Sequence, residues 1–218
     1  MQEEEKSREQ IITELKEVRR CFDELAASEA RLKRAEEETQ LLKKIIVSIN
    51  ESEDLNAAFF AVLEKICRTT DWAYGEVWVP SRNGQFLERS PVWYSRSGGL
   101  AEFVELSEGF KFPVGKGLPG RVWSLKQPVW IKDVTLDDSF LRAHIAMEAG
   151  LKAGVAIPIL ARGEVIAVMA FYMFEAHEKD ERFIEIVSAV AAQLGLIIRR
   201  KKAEEEVRRS EEHFRTLI

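Results

Sequence analysis

The chain has 218 residues, which is enough for one large or two small domains. Its 32 basic and 37 acidic residues give a net charge of −5 with both signs well mixed, which argues against nucleic acid and anionic lipid as partners. An acidic start and charges within the longest apolar stretch argue against a secretion signal and a membrane span, so we expect a cytoplasmic protein.

The first 50 residues predict a long charged helix with an apolar stripe. Glu, Lys and Arg fill most positions outside the stripe, which favours a homodimer over one edge of an ordinary helical bundle. We therefore assign residues 1–50 to a coiled-coil dimerisation helix. The seam residues recur mostly in steps of three and four, as a coiled coil requires, and are Leu15, Val18, Phe22, Leu25, Leu32, Leu42, Ile46 and Ile49.

A shorter helix and two strands come next. Helical spacing of apolar residues over 54–69 predicts a helix that covers a sheet, with Asp54 among the available caps. Residues 74–79 and 86–94 have the composition of strands, and the turn residues at 81–84 join them into a predicted hairpin.

A glycine pattern follows these strands. Gly115, Gly117 and Gly120 spell G-x-G-x-x-G, the dinucleotide fingerprint, but that fingerprint needs a parallel βαβ series and the later strands form hairpins. Arg121 stands where a phosphate-binding P-loop has its Lys. We interpret the glycines as a tight turn that begins a helix over residues 118–125.

The last third of the chain predicts a closing hairpin and a final helix. Residues 154–160 and 165–174 read as strands that are apolar on both faces, so we expect a central sheet covered on both sides. Residues 180–200 predict a helix that packs on this sheet. Beyond Arg199 the helix turns charged and is expected to leave the domain as a rod.

No pattern in the sequence predicts catalysis. There is no G-x-S-x-G, no pair of catalytic carboxylates and no metal-ligand set, and the two cysteines, Cys21 and Cys67, match neither a disulfide nor a metal spacing. His213 lies in Glu-Glu-His-Phe-Arg, which lacks the acidic residue that follows the His in a histidine-kinase phosphoacceptor box. We therefore expect a non-catalytic fragment without a metal.

Several segments together carry a resemblance to a known family. They are Asp71-Trp-Ala73, Gly115-Lys-Gly-Leu-Pro-Gly120, Gln127-Pro-Val-Trp-Ile-Lys-Asp133 and the hairpin segments Gly154–Leu160 and Gly163–Met169. On these residues the chain resembles a GAF domain over 51–198. The resemblance implies an α+β fold, with a central antiparallel β-sheet, helices on both faces, and long flanking N- and C-terminal signalling helices. It also implies a ligand pocket beneath the loops on one face.

The end of the chain resembles the beginning of another signalling module. Residues 209–218 look like the run-in to a PAS domain, so residues 199–218 are assigned to a linker helix. Proteins with serial GAF and PAS modules joined by coiled coils are commonly sensor histidine kinases, with cyclic-dinucleotide enzymes and phosphatases as other outputs. The resemblance therefore implies an output enzyme outside this chain.

The resemblance also directs attention to a candidate ligand pocket. A GAF pocket implies a small-molecule ligand, with Arg142 or His144 at its mouth to meet a polar end. Residues 139–153 contain no Cys, which argues against a bilin, and haem would depend on His144 alone, so the cofactor is unknown. A ligand sensor, a structural dimerisation module, and a haem- or chromophore-bearing redox or light sensor stay open, as does the alternative that these aromatics only fill a core. The candidate pocket residues are Trp93, Trp123, Trp130, Phe140, Arg142, His144, Ile145, Met147, Ile157 and Met169.

Overall fold

The structure is a computed structural model that describes residues 2–52, 54–96 and 98–216. Within these residues the chain divides into one unit that ends at Lys43 and a second that begins at Lys44. The helices are α1 (Gln2–Glu51), α2 (Leu55–Thr69), α3 (Ala101–Leu106), α4 (Gly117–Leu125), α5 (Ala143–Glu148) and α6 (Glu181–Thr216). The strands are β1 (Tyr74–Pro80), β2 (Phe86–Ser95), β3 (Lys111–Pro113), β4 (Val129–Ile131), β5 (Ala153–Ala161) and β6 (Glu164–Met173). Among the described helices, none is both long and apolar enough to cross a membrane.

The six strands form one antiparallel sheet in the order β3-β2-β1-β6-β5-β4. Both predicted hairpins are present, and β1 and β6 pair at the centre of the sheet, with Gly75 opposite Phe171. Helices cover both faces, so the predicted α+β architecture is confirmed. The short helix α3 and the 3₁₀ turn before it, Gly98–Leu100, were not predicted from the sequence.

One face of the sheet packs against α2 and α6, and we call these two helices the helix layer. Helix α2 begins where predicted, since the Asp54 side chain accepts a hydrogen bond from the Ala57 backbone N–H at 2.8 Å. Helix α6 crosses β5 so closely that a Cβ added at Gly195 would overlap the Leu160 carbonyl oxygen. Only glycine fits this crossing, which holds the α6 backbone directly on the sheet.

The other face packs against α3, α4 and α5 with their connections, and we call this side the loop layer. The turn that leads into α4 depends on the glycines of the G-x-G-x-x-G pattern for its backbone geometry. Gly117 has φ +63 and would place a Cβ 2.6 Å from the Phe112 ring, and a Cβ at Gly120 would overlap the Pro113 carbonyl. The backbone N–H of Gly115 donates to the Gly120 carbonyl at 2.7 Å and closes the turn. The three glycines therefore meet local backbone requirements.

Candidate functional site

A charged pair lies between the sheet and the loop layer. Glu76 is on the central strand β1, and Arg142 directly precedes α5. Both side chains are completely buried. The guanidinium holds the carboxylate with both of its terminal nitrogens: Nη1 donates to Glu76 Oε2 at 3.3 Å and Nη2 donates to Oε1. This two-pronged geometry is the arrangement that makes an arginine–carboxylate pair strong and specific in orientation.

Hydroxyl groups add polar contacts to the pair, and Arg142 Nε is buried without a hydrogen-bond partner among the described residues. Arg142 also donates to Ser107 Oγ at 2.8 Å and to the Tyr172 hydroxyl at 2.7 Å, and the Tyr74 hydroxyl donates to Glu76 Oε2 at 3.2 Å. A second arginine, Arg89, lies 3.4 Å from Glu76 and donates to the Tyr74 hydroxyl at 2.9 Å. The resulting network ties together β1, β2, β6, α5 and the end of α3, so it joins the sheet to the loop layer.

Electrostatics fix the charges within this network. Burial alone would raise the pKa of Glu76, but the guanidinium groups of Arg142 and Arg89 outweigh it and hold the pKa below its ordinary value. Burial raises the pKa of the Tyr172 hydroxyl, so this group stays protonated beside Arg142. Glu76 is therefore ionised at neutral pH, facing two permanent cations.

Aromatic rings enclose the guanidinium. Cation–π attraction adds to the ion pair here because the rings are packed and shielded from solvent. Arg142 thus fills the space beneath the loops, where the family resemblance places a ligand. Its Cζ atom lies 4.9 to 5.9 Å from the ring centroids of Trp78, Phe103, Phe112, Phe140 and Tyr172.

The structure does not gather the ten candidate pocket residues in one place. Phe140 and Ile145 lie in the core of the loop layer, and Trp123 packs against that core. Arg142 lies in this layer, where its side chain is completely buried and does not stand at a pocket mouth. His144 and Met147, both on α5, are exposed, and Met147 is 62% exposed.

The other four candidates lie elsewhere. Ile157 pairs with Met169 on the face opposite Tyr172, so both point towards the helix layer. Trp93 is 38% exposed on β2, at the edge of the loop side, where its ring centroid lies 6.2 Å from that of Tyr74. Trp130 of β4 packs edge-on against Trp72 at the far end of the sheet.

Sequence reasoning missed Glu76. The sequence did contain a pattern that indicated Glu76. It is the single charged residue in the predicted strand 74–79, and it shares a face with the aromatic residues Tyr74 and Trp78. A carboxylate on an otherwise apolar strand face needs a buried cation. That requirement would have directed the search to an arginine in the loop layer.

The predicted seam of α1 divides into two parts. Leu15, Val18, Phe22, Leu25 and Leu32 are 63 to 70% exposed. Towards the end of α1, Leu42 and Ile46 are half-buried and Ile49 is buried together with Ile45. The heptad pattern named Leu42, Ile46 and Ile49 but not Ile45.

The two cysteines lie on different helices and differ in exposure. Cys67 is buried in α2, where burial raises the pKa of its thiol to about 12, and Cys21 is exposed on α1. Among the residues that the structure describes, no group of three or more His, Cys, Asp or Glu side chains is arranged to hold a metal ion.

A protein-family model matches more than half of the chain. The family model described as GAF domain matches residues 52–199. Two curated plant proteins share shorter segments: NLP1 of Arabidopsis thaliana is 30% identical over 101 residues, and basic helix-loop-helix protein A of Pisum sativum is 38% identical over 60 residues. These segments cover 40% and 27% of this chain but only 11% and 9% of the relatives.

Solved structures with the same fold cover most of the chain. The GAF domain of a phosphoenolpyruvate-protein phosphotransferase from Coxiella burnetii has a TM-score of 0.64 at 18% identity, covering 78% of this chain and 96% of that one. The free methionine-R-sulfoxide reductase of Neisseria meningitidis, in complex with its substrate, has a TM-score of 0.62 at 14% identity, with 78% and 91% covered. At these identities the likeness shows the fold.

Proposed function

The chain belongs to the GAF domain family, whose members are generally sensory or regulatory modules, and from this premise we propose that it is a non-catalytic sensory and dimerisation module of a signal-transduction protein. It relays small-ligand occupancy through its long helices. The observation that carries this proposal is the Gly195 crossing, where the α6 backbone lies against β5 with no side chain between them. Because α6 then continues to Thr216, a displacement of β5 passes directly into a helix that leaves the sheet.

Homodimerisation is part of the proposal. Five large apolar side chains on α1, from Leu15 to Leu32, are exposed at mostly heptad spacing in a helix that is otherwise charged. A second copy of the same helix would cover them by coiled-coil packing. The parent that best fits two signalling helices and the PAS-like end is a sensor histidine kinase, with its output enzyme beyond this chain.

The sensed ligand would enter the space that Arg142 now fills. Two arginines, Arg142 and Arg89, face the single carboxylate of Glu76, so the network carries an excess of positive charge. An anionic group on a small ligand could replace Glu76 as the partner of Arg142. Ligand binding would then release β1 from α5. The ligand would shift the relay only if its affinity differs between the arrangement in which Arg142 holds Glu76 and the arrangement in which it does not.

Reductase activity, as in the Neisseria neighbour, fits this chain less well. Thiol-based reduction needs an accessible thiolate, and the buried Cys67 with its raised pKa supplies none. Cys21, the other of the two cysteines, lies outside the residues that match the family.

A ligand-free structural dimerisation module is the second candidate function. The observation that favours it is the filled interior, because Arg142 is paired with Glu76 and enclosed by aromatic rings without a ligand. Native mass spectrometry of freshly purified protein, with an absorption spectrum of the same sample, separates the two candidates. A dimer of 25.0 kDa chains with added small-molecule mass supports the sensor, whereas a dimer without added mass or colour supports the structural module. A monomer would contradict both candidates.

A further inference from the structure

Helix α4 begins beside the Arg142 network. Its first residue, Gly117, lies so close to Phe112 that a Cβ there would be 2.6 Å from the ring, and the centroid of the same ring lies 5.5 Å from Arg142 Cζ. The nine residues of α4 then extend for about 13 Å and pack on β5 and β6. The helix therefore leads from the buried ion pair to another part of the sheet.

Lys126 fastens the end of α4 to the turn between β5 and β6. Its Nζ donates to the Gly163 carbonyl at 2.7 Å and pairs with Glu164 at 3.1 Å. Lys126 ends the helix with φ +55, a left-handed backbone conformation that favours glycine. Glycine would fit this backbone with less strain, but it could not make the two contacts with the turn.

The β5–β6 turn contacts both layers of helices. Arg162 and Gly163 form a two-residue turn with φ +54 and +78, and the strands pair up to its edge, so the turn moves with the strands. The Leu160 carbonyl at this end of β5 is the group that a Cβ at Gly195 would overlap. The end of the hairpin thus contacts α4 through Gly163 and α6 through Leu160.

We propose that Lys126 couples the loop layer to α6 through the β5–β6 turn. A movement of Phe112, which helps to enclose Arg142, displaces α4, and Lys126 passes the displacement to Gly163 and on to the Gly195 crossing. Packed side chains, hydrogen bonds and rigid helices are the elements through which distant sites are coupled. The use of this route in signalling rests on the proposed sensory function, whereas the coupling itself is a property of the domain without a ligand.

Hydrogen exchange of the ligand-free protein, measured by mass spectrometry, tests this coupling. Lys126→Met removes the link, and we expect amide exchange to become about threefold faster both at residues 159–166 and in α6 at residues 190–200. Arg68→Met is the matched control, because it removes an exposed ion pair of similar length, 3.2 Å to Glu64, within the single helix α2. Exchange in the two segments should be unchanged in this control.

A second variant separates the loss of the link from a loss of stability at the end of α4. Lys126→Gly removes the same side chain but suits the left-handed backbone, and it should also speed exchange at residues 190–200. Unchanged exchange of α6 in both variants would overturn the proposal, as would faster exchange in Lys126→Met alone or an equal increase in Arg68→Met. None of these results would decide the sensory function, which native mass spectrometry tests separately.

Discussion

Arg142 and Glu76 are 66 positions apart in the sequence and meet as an ion pair with no exposed surface on either side chain. Glu76 belongs to the sheet and Arg142 to the loop layer, so the pair joins the sheet to the loop layer. A buried pair stabilises a fold weakly relative to an apolar replacement, but it specifies one arrangement because either charge alone is very unfavourable in the interior.

The first prediction concerns the loss of one partner. Arg142→Met should lower the free energy of unfolding by about 3 kcal/mol, the lower end of the range for a broken buried pair, because Glu76 loses its two-pronged partner and keeps only Arg89 at 3.4 Å. The matched control is Arg121→Met, which removes a partly exposed arginine 3.7 Å from Asp137 and should cost no more than about 1 kcal/mol. Urea unfolding measures both. The double variant Arg142→Met/Glu76→Leu should recover part of the loss, and an equal cost for Arg142→Met and Arg121→Met would contradict this account.

The second prediction is a pH dependence that follows from Glu76. The pKa of Glu76 is lower in the folded protein than in the unfolded chain, so its contribution to the free energy of unfolding is complete above the ordinary glutamate pKa. As the pH falls below about 4.3, the unfolded chain takes up a proton that folded Glu76 does not, and stability decreases towards the folded pKa. Wild type should therefore lose up to about 1.4 kcal/mol per pH unit more than Glu76→Gln.

Urea unfolding between about pH 6 and about pH 3 measures this difference. Asp133 also has a lowered pKa, since its hydrogen bonds with Thr135 outweigh its desolvation, and it contributes with the same sign. Because Asp133 is present in both proteins, its effect cancels in the comparison. Parallel stability curves for wild type and Glu76→Gln would show that Glu76 does not carry the lowered pKa.

Local patterns predicted most of the fold. Strand composition located β1 and β2, runs that are apolar on both faces located β5 and β6, and the cap at Asp54 located the start of α2. These features depend on residues within a few positions of each other, which is the range that periodicity and capping rules cover. Short turns predicted the two hairpins, and the resemblance to the family implied the antiparallel sheet that contains them.

The candidate site was harder to predict, for two physical reasons. Strands β5 and β6 are apolar on both faces, so alternation could not tell that Ile157 and Met169 point to the helix layer. The Arg142–Glu76 pair depends on a contact across 66 positions, and a lone arginine before a short helix resembles a surface residue. Only the assembled sheet brings the two charges together.

The third prediction tests the crossing of α6 over β5. Gly195→Ala should destabilise the domain by about 1–3 kcal/mol, although alanine favours helix by about 1 kcal/mol, because the new methyl group overlaps the Leu160 carbonyl. Gly99→Ala is the matched control, since a Cβ there meets no atom within 4 Å. Thermal unfolding distinguishes them, and a Gly195→Ala protein as stable as Gly99→Ala would show that α6 does not lie directly on the strand.

The fourth prediction tests the proposed dimer. Phe22→Lys should weaken self-association at least about tenfold, because it places a charge in the apolar stripe of α1. Ala27→Lys adds the same charge on the opposite side of the helix and should leave the dimer intact. Sedimentation equilibrium measures the two dissociation constants. If the two substitutions have equal effects, the stripe from Leu15 to Leu32 is not the dimer seam.

The fifth prediction tests the relay through α6 in the full-length parent. Insertion of one residue after Lys201 rotates the helix that follows by about 100°, so the two downstream helices of a dimer would meet through the wrong faces. We expect the output activity of the parent to change strongly. A seven-residue insertion restores the helical phase to within about 20° and should return the activity towards that of wild type. Equal activity for the one-residue and seven-residue insertions would show that helical phase carries no signal through α6, which would remove the support for a rotational relay.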